Sequence, residues 1–245
     1  MLSRFSVTQV ARKVIQVPRR SDRHGAMDRR SRAGSRVRRP RRVLVVTNGE
    51  VTEKQYRDLL NQEEAKKERG ERSFHIECKC NRVDPKRLAE YALKIVEKDK
   101  RESMSAKGGR SDPYSLVYVM VDVDEIKATN LHDAQTICSE NGMRLVISNP
   151  CVEVWLVDHV KTCPPSVTTA RSAEELAKSL GLTTGRGNKF IVTERLRGRT
   201  GDAVRNAASH NGKAAARKRA SLQDIDFAPW TDFPDLMMDV TASCK

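Results

Sequence analysis

Two short apolar runs that end in acids constrain this chain more than any other feature. Leu44-Val45-Val46-Thr47 leads into Asn48-Gly49 and then Glu50 and Glu53, and Leu116-Val117-Tyr118-Val119-Met120-Val121 leads into Asp122, Asp124 and Glu125. A β-branched run stopped by Asn-Gly reads as a buried strand ending in a tight turn. The acids therefore stand at the carboxyl ends of strands. In an open α/β sheet, ligands bind outside those ends, where the strand order reverses. Acids far apart in sequence can meet there, and the expectation is a divalent-cation site between the two strand ends.

The rest of the chain supplies alternating helices and strands. Thr52-x-x-Gln55 reads as a capping box for a helix carrying Tyr56, Leu59 and Leu60 on one face. Phe74 to Cys78 alternates like a strand, and Asp84-Pro85 opens a helix with Leu88, Tyr91, Ala92, Ile95 and Val96 along one stripe. Residues 98–113, rich in Lys, Ser and Gly, read as an exposed loop. A helix through Ala134, Ile137 and Cys138 ends at Asn141-Gly142, and Met143 to Ile147 is a further strand. Ser148-Asn149-Pro150 turns the chain into an apolar segment from Cys151 to His159, expected as a helix against the sheet. Beyond it, Ser172-x-x-Glu175 reads as a second capping box closed by Gly181. The stretch from Thr183 to Lys189 reads as a loop, and residues 200–220 as helix.

Such alternation implies crossover connections and a mainly parallel sheet. The fold expected is α/β, a Rossmann-like, mainly parallel sheet flanked by helices over residues 43–160, with a helical C-terminal extension over 161–245 and a disordered basic arm over 1–42. A strand order of 2-1-3 would make the strands before Glu50 and Asp122 neighbours.

Charge is concentrated in the arm. Residues 1–42 hold fourteen Arg and Lys against two Asp, so they carry most of the net charge of +14. A like-charged block cannot bury enough surface to offset its ordering entropy, and phosphate is its natural partner. Arg29, Arg30, Arg36, Arg38, Arg39, Arg41 and Arg42 are the nucleic-acid-binding candidates, with a solubilising tail as the plain alternative. No apolar run approaches the ~20 residues of a membrane-spanning helix, and the first residues lack a secretory signal, so a cytoplasmic protein without membrane contact is expected. The six cysteines show no zinc spacing and read as free thiols.

Asp122 and Asp124 lie two apart, so in extended backbone both side chains point the same way. Paired carboxylates suit Mg²⁺ or Mn²⁺, hard ions that take oxygen ligands and bridge to phosphate. Acids in this position also serve as turn residues and helix caps, and both readings are open from the residues alone. Glu50 and Glu53 are further acids for such a site, Glu50 as a metal ligand, although Glu53 in a first helical turn also complements the helix dipole. His159, Lys189 and Arg186 are candidates for contact with a scissile phosphate, against the plain readings of a packed histidine and a flexible Gly-Arg-Gly connection.

Three motifs in order carry a resemblance: Val45-Val46-Thr47-Asn48-Gly49-Glu50-Val51-Thr52-Glu53, then Val121-Asp122-Val123-Asp124, then Ser148-Asn149-Pro150-Cys151-Val152-Glu153-Val154-Trp155-Leu156 with His159. Together they resemble the RloB-like family of prokaryotic defence and abortive-infection proteins, which is similar to the Toprim superfamily of metal-dependent catalytic domains. The resemblance implies a Toprim-type sheet, Mg²⁺ at Asp122 and Asp124, and Glu153 as a supporting acid. It also implies phosphodiester cleavage, in RNA or DNA, and phage defence beside an ATPase partner. One departure stands out, because Asn48-Gly49 occupies the place where the family has Glu-Gly. Asn ligates a metal through its carbonyl oxygen but accepts no proton at neutral pH. Glu50 or Glu53 then takes that role, or the chain is a catalytically silent nucleic-acid-binding or regulatory subunit.

Overall fold

The computed structural model describes residues 39–68, 71–105, 112–123, 128–220 and 229–242. The basic arm up to residue 38, with Arg29, Arg30, Arg36 and Arg38, lies outside them, as do Asp124 and residues 106–111.

Five strands form one sheet: β1 (Arg41–Thr47), β2 (Phe74–Cys80), β3 (Leu116–Asp122), β4 (Arg144–Asn149) and the short β7 (Trp230–Thr231), in the order β2-β1-β3-β4-β7. The first three contacts are parallel and β7 runs antiparallel to β4. The expected 2-1-3 order is present, with Val43–Thr47 paired to Leu116–Met120 in register. From β1 the chain steps one way to β2 and then back across β1 to β3, so the switch point falls between β1 and β3.

Alternation along the strands builds a core on each face. Val43 and Val45 point to one layer, with Tyr56, Leu59 and Leu60 of α1 (Thr52–Lys66) and Trp155 of α4 (Glu153–Asp158). The same layer takes in α5 (Ala170–Ser179), α7 (Thr200–Ala220) and α8 (Phe233–Thr241). Leu44 and Val46 point to the other, against Leu88, Ala89 and Ala92 of α2 (Pro85–Met104) and Leu131, Ala134 and Cys138 of α3 (Ala128–Glu140). Burial on both faces explains why β1 and β3 read as continuous apolar runs. The first layer centres on Trp155, stacked on Phe233 at 5.3 Å with Tyr56 edge-on at 6.4 Å. Each such contact adds about 1 kcal/mol beyond area burial.

Several expectations are corrected by tertiary contacts. Thr52 and Gln55 form no capping box: the Thr52 hydroxyl donates to the Lys189 carbonyl (3.2 Å) and Gln55 Oε1 accepts the Ile191 N–H (2.9 Å), so both reach across to a later hairpin. Ser172 is not an N-cap either. Thr169 caps α5, and Ser172, three residues on, closes the box from inside the helix. Residues 98–104, expected as loop, are the last turns of α2. The C-terminal stretch is more than helices, since β5 (Thr183–Thr184) and β6 (Phe190–Ile191) form a hairpin, α6 (Thr193–Leu196) follows it, and β7 joins the main sheet.

Arg41 and Arg42, expected in the arm, belong to β1. Arg41 donates to the carbonyls of Asp239 (2.8 Å), Val240 and Ala242 (2.9 Å), capping the carboxyl end of α8. Arg42 bonds Glu77 (3.0 Å) and Asp99 (2.9 Å) and lies 4.2 Å over the Tyr114 ring. Both guanidinium groups bond within the fold, Arg41 through its Nη2 and Arg42 through Nε, Nη1 and Nη2. At the sheet's outer edge the Asn61 amide pairs with both backbone groups of Ile76, at 2.8 and 2.9 Å. That blunts an edge that could otherwise recruit another strand.

Candidate active site

The β1–α1 turn sets the floor of the site. The Gly49 N–H donates to the Thr47 hydroxyl (3.0 Å), which donates to Glu53 Oε1 (3.2 Å). Glu53 folds back over the turn so closely that a Cβ on residue 49 would lie 1.8 Å from its Oε1. Only glycine at 49 leaves the carboxylate that position. Burial raises the Glu53 pKa, and the negative charge of Glu153 raises it further. Bonds from its own backbone N–H and from Thr47, and the charge of Lys189, offset only part of this.

Around this floor lies a cavity of about 200 Å³ at the sheet's switch point. Asn48, Glu50 and Glu53 enter from the β1–α1 turn, Asp122 from the end of β3, Glu153 from the first turn of α4, and Lys189 from the hairpin. β3 is held there because the Val123 N–H donates to both Ser148 O (3.1 Å) and Pro150 O (2.9 Å), tying its exit to the turn before α4. Sequence positions 50, 53, 122, 153 and 189 thus come to one pocket.

Glu153 is the unusual member. It is 1% exposed, and neither carboxylate oxygen has a hydrogen-bond partner among the described residues. Its nearest cation, Lys189 Nζ, is 3.8 Å from Oε1 and instead hydrogen-bonds Glu174 Oε1 at 2.7 Å. Glu174, on α5, was not singled out by motif or spacing. It parks the ammonium beside Glu153 without satisfying it, and the surrounding acids raise the Lys189 pKa despite its partial burial. Cys151 is buried nearby with its thiol 3.9 Å from the Ala170 carbonyl, and burial, then the charges of Glu153 and Asp122, raise its pKa. A buried carboxyl left without partners is costly, and hard oxygen donors around a small polar cavity suit an ion that takes oxygen ligands and keeps several waters. Among the described residues no three His, Cys, Asp or Glu side chains already surround one point as a ligand cage. Asp122, Glu153 and Glu53 are the carboxylates that share this polar cavity with the largely exposed Glu50, oxygen donors of the kind that Mg²⁺ or Mn²⁺ takes.

The other predicted residues are distributed differently. Glu50 lines the rim, largely exposed and paired with Arg82. His159 is buried away from the cavity. Its Nδ1 lies 2.9 Å from the Trp155 carbonyl, which can only accept, so Nδ1 carries the proton and Nε2 accepts from the Tyr56 hydroxyl at 3.2 Å. Burial lowers its pKa to about 4. His159 is therefore a neutral packing residue, set apart from the cavity that gathers the acids and Lys189. Arg186 is exposed on the hairpin turn, and Arg39 is exposed 4.0 Å from Asp112.

The model of the RloB-like protein family matches residues 43–240. The chain belongs to the RloB-like family. The match begins within β1 and ends within α8, so the cavity and every described residue lining it fall inside the part shared with other RloB-like proteins. No curated protein and no solved structure matches the chain significantly. Among the described residues of this RloB-like protein, no helix is long and apolar enough to cross a membrane.

Proposed function

We propose that the protein is a Mg²⁺- or Mn²⁺-dependent phosphodiester-cleaving enzyme acting on nucleic acid. One observation carries this reading. A buried glutamate whose oxygens accept no hydrogen bond from the described residues, ion-paired to Lys189 alone at 3.8 Å, faces a cavity that it shares with Asp122 and Glu53, at the switch point of an α/β sheet. Glu153, Asp122 and Glu53 would hold such an ion, which would supply Lewis-acid polarisation of a phosphoryl oxygen and a more acidic water. Lys189, held by Glu174, offsets charge on the phosphate, as a fixed cation does at a developing oxyanion. RNA as the substrate, a role in phage defence and an ATPase partner are the finer parts of the proposal and rest on the family resemblance.

The test uses purified full-length chain, with and without an ATPase encoded beside it, incubated with tRNA, single-stranded RNA and plasmid. Cleavage is expected in Mg²⁺ or Mn²⁺ and not in EDTA. Asp122→Asn or Glu153→Gln lowers the rate at least about 100-fold. Equal cleavage in EDTA, or in both variants, overturns the assignment.

A second reading has its own observation. Asn48 lines the cavity at the end of β1, where the family resemblance implies a Glu. In that reading the chain binds nucleic acid and does not cut it. Asn48→Glu then creates turnover that the natural protein lacks, whereas robust natural cleavage excludes it.

A further inference from the structure

The β5–β6 hairpin carries an aromatic group that the proposed chemistry does not use. Among the described residues the exposed large apolar side chains are Met104, Phe190 and Met238, and Phe190 is the aromatic one, 49% exposed. Its neighbour Ile191 is buried at 7%, so the alternation of the strand turns position 190 outward. The ring is nevertheless fixed. Gly185 has φ +75, and a Cβ there would lie 2.6 Å from Phe190 Cδ2 and 3.5 Å from Cγ. Only glycine at 185 lets the ring rest on the opposing strand of the hairpin.

The residues on either side of Phe190 are fastened to α1. Thr52 donates to the Lys189 carbonyl (3.2 Å), and the Ile191 N–H donates to Gln55 (2.9 Å). That same helix carries Glu53 into the cavity. Phe190 thus stands one Cα step, about 3.8 Å, from the lysine that enters the acid pocket, with exposed Arg186 on the turn of the same hairpin. An isolated apolar surface residue needs no explanation. A half-open ring on the hairpin that also carries Lys189 and exposed Arg186 has the parts of a nucleic-acid stacking platform, since every base offers a π-face and every phosphate a charge.

We propose that Phe190 is a base-stacking residue for single-stranded nucleic acid, seating an unpaired base next to the phosphate that Lys189 and Arg186 guide toward the acids. A duplex hides its base faces, so this contact selects unpaired strands. The inference rests on the nucleic-acid reading above and adds the substrate class to it.

The experiment uses the full chain with a 12-nucleotide single-stranded RNA and its duplex, without added metal, so that binding and not cleavage is read by fluorescence anisotropy. Phe190→Ala and Phe190→Leu are both expected to weaken single-strand binding about tenfold. They should leave the salt dependence and the duplex affinity unchanged, while Phe190→Trp keeps the natural affinity. Trp155 and Trp230 are 0% and 4% exposed, so quenching of the new indole by the single strand reports stacking directly. Natural affinity in Phe190→Leu with an unquenched indole overturns the stacking role and leaves nucleic-acid binding standing. Absence of any anisotropy change with natural protein overturns both.

Discussion

Near the amino end of β1 the charges of this protein close on one another, and at the carboxyl ends of the strands they stay open. Arg42 donates to Glu77, Asp99 and the Asp112 carbonyl at 2.8–3.0 Å and lies 4.2 Å over the Tyr114 ring. The Tyr114 hydroxyl donates to Glu77 at 2.6 Å, and the Tyr114 N–H to Asp99 at 2.9 Å. Burial alone would raise the Glu77 pKa, yet the Tyr114 hydroxyl and Arg42 bring it below the usual carboxylate value. At the other end the same residue types give the opposite result. Glu53 is raised by burial and by Glu153, and among the described residues neither Glu153 oxygen accepts a hydrogen bond, its ion pair with Lys189 being 3.8 Å long. The same residue types are thus fully hydrogen-bonded at one end of the sheet, while at the other Glu153 has only an ion pair with Lys189, and that contrast is what the proposed function rests on.

The largest break of this comparison is at the closed end. Arg42→Met leaves Glu77 and Asp99 without their cation in a site where the three side chains are 13–32% exposed. It should cost about 2–3 kcal/mol of unfolding free energy, below the value for a fully dry pair. Urea denaturation reads it directly, and a loss under about 0.5 kcal/mol would mean that the network is ornamental.

His159 tests whether full satisfaction carries stability elsewhere in the fold. Its pKa falls from 6.5 to about 4 on folding, so between those values the unfolded chain holds the extra proton. Stability is then complete above pH 6.5 and is lost as pH falls toward 4, by up to about 3 kcal/mol in total. Denaturation curves at pH 7, 6, 5 and 4.5 should show this slope in the natural protein and a flatter one in His159→Phe. Equal slopes would remove His159 as its source.

The closed and open ends were unequally legible in the sequence. The strand order, the cap at Asp84 and the helix stop at Gly142 could be read because period, cap chemistry and left-handed glycine are local properties. Glu50, Glu53 and Asp122 were legible at one end of the sheet, since strand ends converge in this topology, whereas Glu153, in the first turn of α4, stood out only through the family resemblance. The roles of Thr52 and Gln55 were not, because their partners lie more than 130 residues away on the hairpin. Arg41 and Arg42 read as the end of a basic run for the same reason, their acids and carbonyls being distant in sequence. Glu174 carried no signal at all: it is one exposed-type residue on an ordinary helix, and only the fold puts it 2.7 Å from Lys189.

At the open end the expected sign reverses. Glu153→Met replaces an unpartnered buried carboxyl with an apolar side chain of similar length and should raise stability by about 1–2 kcal/mol while abolishing metal-dependent cleavage. Glu53→Gln sharpens the same point. Because the folded pKa of Glu53 is raised above the ordinary 4.5, the natural protein loses stability as pH rises from 4.5 through the folded value, and the variant should lose less. Destabilisation by both variants at pH 7 would show that these acids are structural and erase the contrast between the two ends.

The smallest effect belongs to Glu50, which marks where the open region stops. It lines the same cavity, but its side chain is 59% exposed and paired with Arg82, itself 73% exposed. Exposed pairs contribute about 0–1 kcal/mol, so Glu50→Gln should shift stability by less than about 0.5 kcal/mol. The informative measurement is Mn²⁺ affinity by electron paramagnetic resonance. If the cation is held by the buried acids, Glu50→Gln changes it less than about threefold, whereas Asp122→Asn abolishes binding. A tenfold loss in Glu50→Gln would move the boundary outward, making the rim acid a ligand that leaves Arg82 when the ion arrives.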